Sequence, residues 1–117
     1  MLRIQQLNHL ENGYFAKDLA TMLEPYSIRT KTRQYRYAIV PSSDPTMRVE
    51  MTATPLQNDL ESLSGAVVVI QNPHTNESKT IATLCKSHQP QTNPPAMPIL
   101  SNQSQLTCLE GKEFKLN

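Results

Sequence analysis

Glycine is scarce in this chain of 117 residues, which contains only Gly13, Gly65 and Gly111. Three glycines so far apart build neither a phosphate-cradling loop nor a nucleophile elbow, which excludes phosphate-dependent chemistry by those routes. Charge is also short. Charged residues make up 18% of the chain, against about 25% in ordinary domains, and Gln, Asn, Ser and Thr take their place. A formal net charge of +1 sets up no long-range field that would draw in nucleic acid or an anionic membrane, so any electrostatic partner must be met by a local patch.

Long apolar runs are missing as well. The longest, Ala66 to Ile70, falls far below the roughly 20 residues of a membrane span. The opening MLRIQQLNHLENG has no basic head followed by an apolar core, so no secretory signal is expected and the predicted location is the cytoplasm or a virion. Cysteine occurs twice, as Cys85 and Cys108. Without an export signal the expectation is two reduced thiols in a reducing compartment.

Hydrophobic periodicity supplies the architecture. Leu2, Ile4 and Leu7 open the chain without a clear period, and Asn12-Gly13 marks a turn. Phe15, Leu19, Met22 and Leu23 recur at helical spacing, and Pro25 ends that helix. The period then falls to two. YSIRTKT sets Ile28, Thr30 and Thr32 against Arg29, Lys31 and Arg33, while Tyr35, Tyr37 and Ile39 form a second strand. PSSDPT has turn chemistry, and MRVEMTA alternates Met47, Val49, Met51 and Ala53 with polar residues as a third strand. Thr54 and Pro55 can open a short second helix bearing Leu56, Leu60 and Leu63, which Ser64-Gly65 stops.

AVVVIQNPHTNESKTIATLC reads as a hairpin whose first strand, lacking polar alternation, is buried on both faces and central. In its turn Asn72-Pro73 begins the reversal and Asn76 can take the left-handed conformation. Beyond Lys86, four of the nine prolines fall within residues 90–98, and this segment is expected to run extended over the surface. QLTCL and EFKL around Glu110-Gly111-Lys112 then predict a small closing hairpin.

The expected fold class is therefore α+β: a mainly antiparallel sheet of about five strands with one longer and one short helix, plus a Pro-rich extended C-terminal arm ending in a small hairpin. The corresponding divisions are an α+β domain over 1–87, a Pro/Gln/Asn-rich connector over 88–104 and an arm or hairpin over 105–117.

No constellation meets the requirements of catalysis, so no enzyme, catalytic residue, cofactor or metal is expected. Cys85-x-x-His88 resembles half of a zinc knuckle, but the second ligand pair is missing. Cys85 also lacks the helix terminus or cationic cluster that would make it a thiolate nucleophile. Asp59 and Glu61 are two apart on the expected helix and do not face each other, and Glu50 alternates with Arg48 on a polar strand face.

The informative features concern binding. Arg29, Lys31, Arg33, Arg36 and Arg48 form a candidate electrostatic interface. Interleaved tyrosines would suit single-stranded nucleic acid, although alternation turns Tyr35 and Tyr37 toward the core, and a small nucleic-acid-binding module is the runner-up function. Pro95, Pro98, Leu100, Leu106, Leu109, Phe114 and Leu116 form a candidate assembly arm able to reach a neighbouring chain, and His74 at the hairpin tip is a candidate loop contact.

The order of helix, three strands and second helix resembles that of small tail-terminator and head-closure proteins of tailed bacteriophages. That resemblance covers about half of the chain and implies a non-enzymatic structural subunit, a virion connector, whose partners are copies of itself and other assembly proteins. No membrane insertion is expected.

Overall fold

A computed structural model describes residues 1–40, 43–102 and 104–116. Its elements are helix α1 (Leu2–Asn12), helix α2 (Leu19–Leu23) running into a 3-10 turn (Glu24–Tyr26), and strands β1 (Tyr35–Val40), β2 (Arg48–Pro55), β3 (Leu63–Gln71), β4 (Ser78–Lys86), β5 (Ile99–Ser101), β6 (Gln105–Thr107) and β7 (Lys112–Leu116). The main sheet is antiparallel with order β1-β2-β3-β4-β7, and β5 pairs with β6 as a separate ribbon. The α+β class and the five-stranded antiparallel sheet hold, and both helices are short.

The first helix lies where no period is visible, because a polar residue occupies a core position. Gln5 is fully buried. Its side-chain amide donates to the Ala16 carbonyl at 3.0 Å and accepts from the Ala16 N–H at 2.9 Å. The amide thus satisfies the backbone of Ala16 as a neighbouring strand would, and the two bonds offset the cost of taking these polar groups out of water. Gly13, at φ 81°, closes α1 with its N–H on the His9 carbonyl, a conformation that costs glycine little. Gly65 has a different role: a Cβ there would stand 2.9 Å from Leu2 Cδ1, so its bare backbone lets α1 settle onto β3.

Phe15, Leu19, Met22 and Leu23 are all buried in the same core as Leu2, Val49, Met51 and Val67. Only part of that apolar stretch is helical. Asp18 caps α2 by accepting from Ala20 N–H, while Phe15 lies in the loop between the helices with its N–H on the Pro45 carbonyl at 2.7 Å. Pro25 sits in the first turn of the 3-10 segment, where its missing N–H costs nothing.

In the sheet, β2 alternates as expected, with Val49, Met51 and Ala53 buried. β3 is the third of five strands, buried from Ser64 to Val68. The β3–β4 turn forms with Asn76 at φ 59°. Pro41 and Ser42, which open the expected PSSDPT turn, lie outside the described residues.

Three expected elements are absent or different. Residues 28–33 make no strand beyond an isolated Lys31–Arg36 bridge, and β7 supplies the fifth strand instead. Residues 56–62 form a loop and no second helix: Thr54 and Pro55 complete β2, while Leu63, Ser64 and Gly65 begin β3. The loop is held by tertiary bonds, with Leu56 N–H on the Gln34 carbonyl and the buried Ser62 N–H on Ser87 Oγ. β6 and β7 do not form a hairpin, since β6 pairs with β5 and β7 with β4. Gly111, at φ 80°, makes the approach to β4 possible, because a Cβ there would lie 2.3 Å from the Lys86 carbonyl oxygen.

The Pro-rich segment is no detached arm. It crosses the sheet face opposite the helices, where Leu106 packs at 1% exposure against Ala66, Val68, Ile70 and Ile81. Burying such a side chain stabilises by about 2–3 kcal/mol. Cys85 and Cys108 are joined as a disulfide spanning a sequence separation of 23, which corrects the expectation of two reduced thiols. The connector's return across the sheet brings their Cα atoms to 5.8 Å, a proximity that spacing along the chain does not reveal.

Candidate functional site

The basic residues separate into two environments. Arg48 is half-buried on the connector-covered face, with Nη2 at 2.6 Å from Glu50 Oε2 and at 2.8 Å from the Pro98 carbonyl. It braces the connector and does not belong to an open patch. Arg29, Lys31, Arg33 and Arg36 are exposed, and among the described residues none lies within 4.0 Å of a carboxylate. They fall in a stretch between Glu24 and Asp44 that contains no acid.

Backbone bonds hold this basic segment against the outer edge of β1. Tyr37 N–H donates to the Thr30 carbonyl at 2.9 Å and Thr32 N–H to the Tyr35 carbonyl at 2.8 Å. Thr32 Oγ1 accepts from the N–H groups of Gln34 and Tyr35, which closes a tight turn. The Lys31–Arg36 bridge sets those two residues side by side.

Tyr35 and Tyr37 turn toward the helix side as expected, with ring centroids 6.3 Å apart. Tyr35 OH donates to the Glu61 carbonyl at 2.8 Å. Partial burial, the Glu61 carboxylate and the Tyr37 ring together raise the Tyr35 hydroxyl pKa above the ordinary tyrosine value. Both rings are half-buried.

The same bonds bring Asp59 and Glu61 to this corner of the sheet. Leu56 N–H reaches the Gln34 carbonyl at 2.8 Å, so the β2–β3 loop is laced to the start of β1. Asp59 is exposed and Glu61 half-exposed, and neither pairs with a cation within 4.0 Å. An apolar hollow of about 410 Å³ on the helix side of the sheet is lined by Ile28, Thr32, Tyr37, Leu63, Leu84 and Leu116 among others.

The residues assigned to an assembly arm are scattered. Pro95, Pro98 and Leu106 are buried within the chain's own fold and reach no neighbour while it is folded. Leu116 is half-buried against the helix-side core. Leu100, Leu109 and Phe114 are exposed, at separate points of β5, the loop after β6, and β7. His74 is an exposed tip residue whose N–H donates to Asn72 Oδ1 at 2.9 Å.

One surface went unread in the sequence. On the outer side of α1, Leu7 is 40% and Leu10 81% exposed, beside a hollow of about 630 Å³ shared with Ser78, Lys79 and Thr80 of β4. Leu7 and Leu10 stand three apart and therefore share a helix face. The signal was present as a second apolar stripe, and Gln5 at a buried position hid the helix that carries it.

Both cysteines are consumed in the disulfide, which removes the thiolates of the zinc-knuckle and nucleophile readings. Among the described residues no group of three or more His, Cys, Asp or Glu is placed to hold a metal ion. No helix there is long and apolar enough to cross a membrane.

Comparison with known proteins identifies the family. The family model described as "Type IV pilin-like G and H, putative" matches residues 1–109, and no curated protein or solved structure matches the chain. The chain belongs to this pilin-like family. That finding overturns the reading as a phage virion connector, tail-terminator or head-closure component. The element order agrees with the correction, since two helices precede the sheet and no second helix follows β2. The family match also lends nothing to the nucleic-acid module.

Proposed function

We propose that this protein is a non-enzymatic subunit of a pilus-like assembly, with copies of itself and other pilin-like proteins as partners. Membership of the pilin-like family supports the class of assembly. The structural observation that carries the reading is the apolar stripe of Leu7 and Leu10 on the solvent side of α1. Large apolar side chains gathered on one helix face over a hollow are stabilised when a second surface removes them from water.

The disulfide favours an oxidising compartment over the cytoplasm. The half of the molecule that depends on Cys85 and Cys108 would be the first to loosen under reducing conditions.

The test is Leu7→Glu combined with Leu10→Glu, a change confined to exposed positions. Isolated from its source without reductant, the unmodified protein runs in native mass spectrometry as a multi-copy assembly. The double variant runs as a folded single chain with an unchanged melting temperature. An unmodified protein that is monomeric, or a variant that assembles equally well, overturns the proposal.

A further inference from the structure

Of the eight asparagines in the chain, Asn12 alone is followed by glycine. Asn72 and Asn93 precede proline, which has no N–H, and Asn8, Asn58, Asn76 and Asn102 precede residues that carry side chains. The difference is chemical. The side-chain amide of an asparagine is open to attack by the backbone nitrogen of the next residue, and a glycine leaves that nitrogen unshielded.

Asn12 ends α1 and is exposed, as are Glu11, Gly13 and Tyr14. A Cβ placed on Gly13 would meet no heavy atom within 4 Å, so there is open space in which a ring can close. Two bonds hold the pair at rest: Gly13 N–H donates to the His9 carbonyl at 2.8 Å, and Asn12 Nδ2 donates to Asn8 Oδ1 at 3.1 Å. Helical backbone, with ψ of about −42°, also points the nitrogen of the next residue away from the side-chain carbon. The closed turn therefore blocks the reaction that its residues favour.

Little holds that turn closed. Leu10, Glu11, Asn12 and Gly13 are all exposed, and the fixed point lies further in, at His9. Its Nε2 is 2.8 Å from the Thr46 carbonyl, and its ring rests on Phe15 with centroids 4.5 Å apart. Helix ends that bury little open at low cost in free energy. His9 sets where the fraying stops.

We propose that Asn12-Gly13 is a site of spontaneous deamidation, gated by the opening of the last turn of α1. With the turn open, the Gly13 nitrogen gives its proton to water or hydroxide and bonds to Asn12 Cγ, while the Cγ–Nδ2 bond breaks and the side-chain nitrogen takes up a proton and leaves as ammonia. Water then opens the five-membered imide at either carbonyl, which yields aspartate or isoaspartate. The product does not rebuild the same helix end. A carboxylate now stands at the negative end of the helix dipole, the donor to Asn8 is gone, and in isoaspartate an extra backbone methylene moves Gly13 N–H out of register with the His9 carbonyl. A turn that opened to react thus stays looser afterwards.

Peptide mapping by mass spectrometry tests it. The folded protein, disulfide intact, is held warm at mildly alkaline pH, and the exchange of NH2 for OH appears at Asn12 before any other asparagine. In guanidinium chloride the same site converts about tenfold to a hundredfold faster, the factor set by how rarely the folded turn opens. His9→Ala frees the helix end from Thr46 and Phe15 and moves the folded rate toward the unfolded one. Asn12→Asp reads the consequence directly: hydrogen exchange at residues 11–13 rises about two- to fivefold while β3 is unchanged.

An Asn12 that stays intact in the folded protein while the unfolded chain converts overturns the site, as does earlier conversion at Asn58 or Asn76. Equal rates in the folded and unfolded chains overturn the gate, and so does a folded His9→Ala variant that converts no faster than the unmodified protein. Should that variant fail to fold, the folded and unfolded forms of the unmodified chain decide the matter between them.

Discussion

The two faces of the sheet are covered by different means. On one, α1, α2 and Phe15 bury Leu2, Leu19, Met22 and Leu23 against Val49, Met51 and Val67, a core made by apolar side chains meeting apolar side chains. On the other, an irregular Pro-rich segment lies over Ser62, Ser64, Ala66, Val68 and Thr83. Proline has no N–H, so such a segment presents mainly carbonyl acceptors. The sheet answers with donors: Ser62 Oγ to the Asn93 carbonyl at 2.7 Å, Ser64 Oγ to Ala96 at 3.3 Å, Thr83 Oγ1 to Leu106 at 3.0 Å and Arg48 to Pro98 at 2.8 Å. Among the described residues no buried side-chain nitrogen or oxygen is left without a partner. Leu106 and the Cys85–Cys108 disulfide complete this cover.

The comparison teaches that a chain segment with no repeating apolar pattern can close a sheet if the sheet face carries hydroxyls at the right places. It also implies that the two faces fail differently. The largest effect is expected on the helix side. Phe15→Ala removes a fully buried ring from the joint of both helices and should cost about 3–5 kcal/mol, seen as a cooperative loss of the whole fold in urea denaturation. If only the connector loosened, the two faces would have to be ranked the other way.

Removing the disulfide with Cys85→Ser and Cys108→Ser tests the second face. A closed loop of this length contributes about 3 kcal/mol in the chain-entropy account. Hydrogen exchange should rise first in β5, β6 and the segment between the two cysteines, while β2 and β3 stay protected. Uniform exposure of every strand would show that the two covers act as one.

The smallest effect concerns the end of the helix layer. The Asp18 carboxyl is held below its ordinary pKa chiefly by the hydrogen bond from the Thr21 hydroxyl, with backbone N–H groups adding to it. A depressed carboxyl contributes its stabilisation at neutral pH and loses it as pH falls through the depressed value. Acid titration followed by circular dichroism should therefore show slight fraying of α2 below the usual carboxylate range, and Asp18→Asn should remove that step while keeping the cap.

The elements legible in the sequence are those whose pattern is local. β2 shows clean alternation, β3 an unbroken apolar run, and the β3–β4 turn an asparagine where a left-handed residue is required. The exposed basic positions were legible for the same reason, with Arg48 the exception because its partners, Glu50 and Pro98, come together only in the fold. α1 was hidden by Gln5, whose burial makes sense only beside the Ala16 backbone. The expected helix opened by Thr54 and Pro55 and ending at Leu63 followed real spacing of leucines, yet Thr54 and Pro55 pair with β1 and Leu63 pairs with Ala53 of β2.

By itself, then, the sequence determined an α+β chain with a central hydrophobic hairpin, low charge and a basic stretch free of acids. Period, composition and turn chemistry act over a few residues and need no distant partner. Only the tertiary structure decided that Cys108 returns to Cys85, that β7 and not residues 28–33 supplies the fifth strand, and that the Pro-rich segment is cover and not arm. Each of those depends on groups far apart in the chain, where the gain comes from pairing and burial and leaves no local mark.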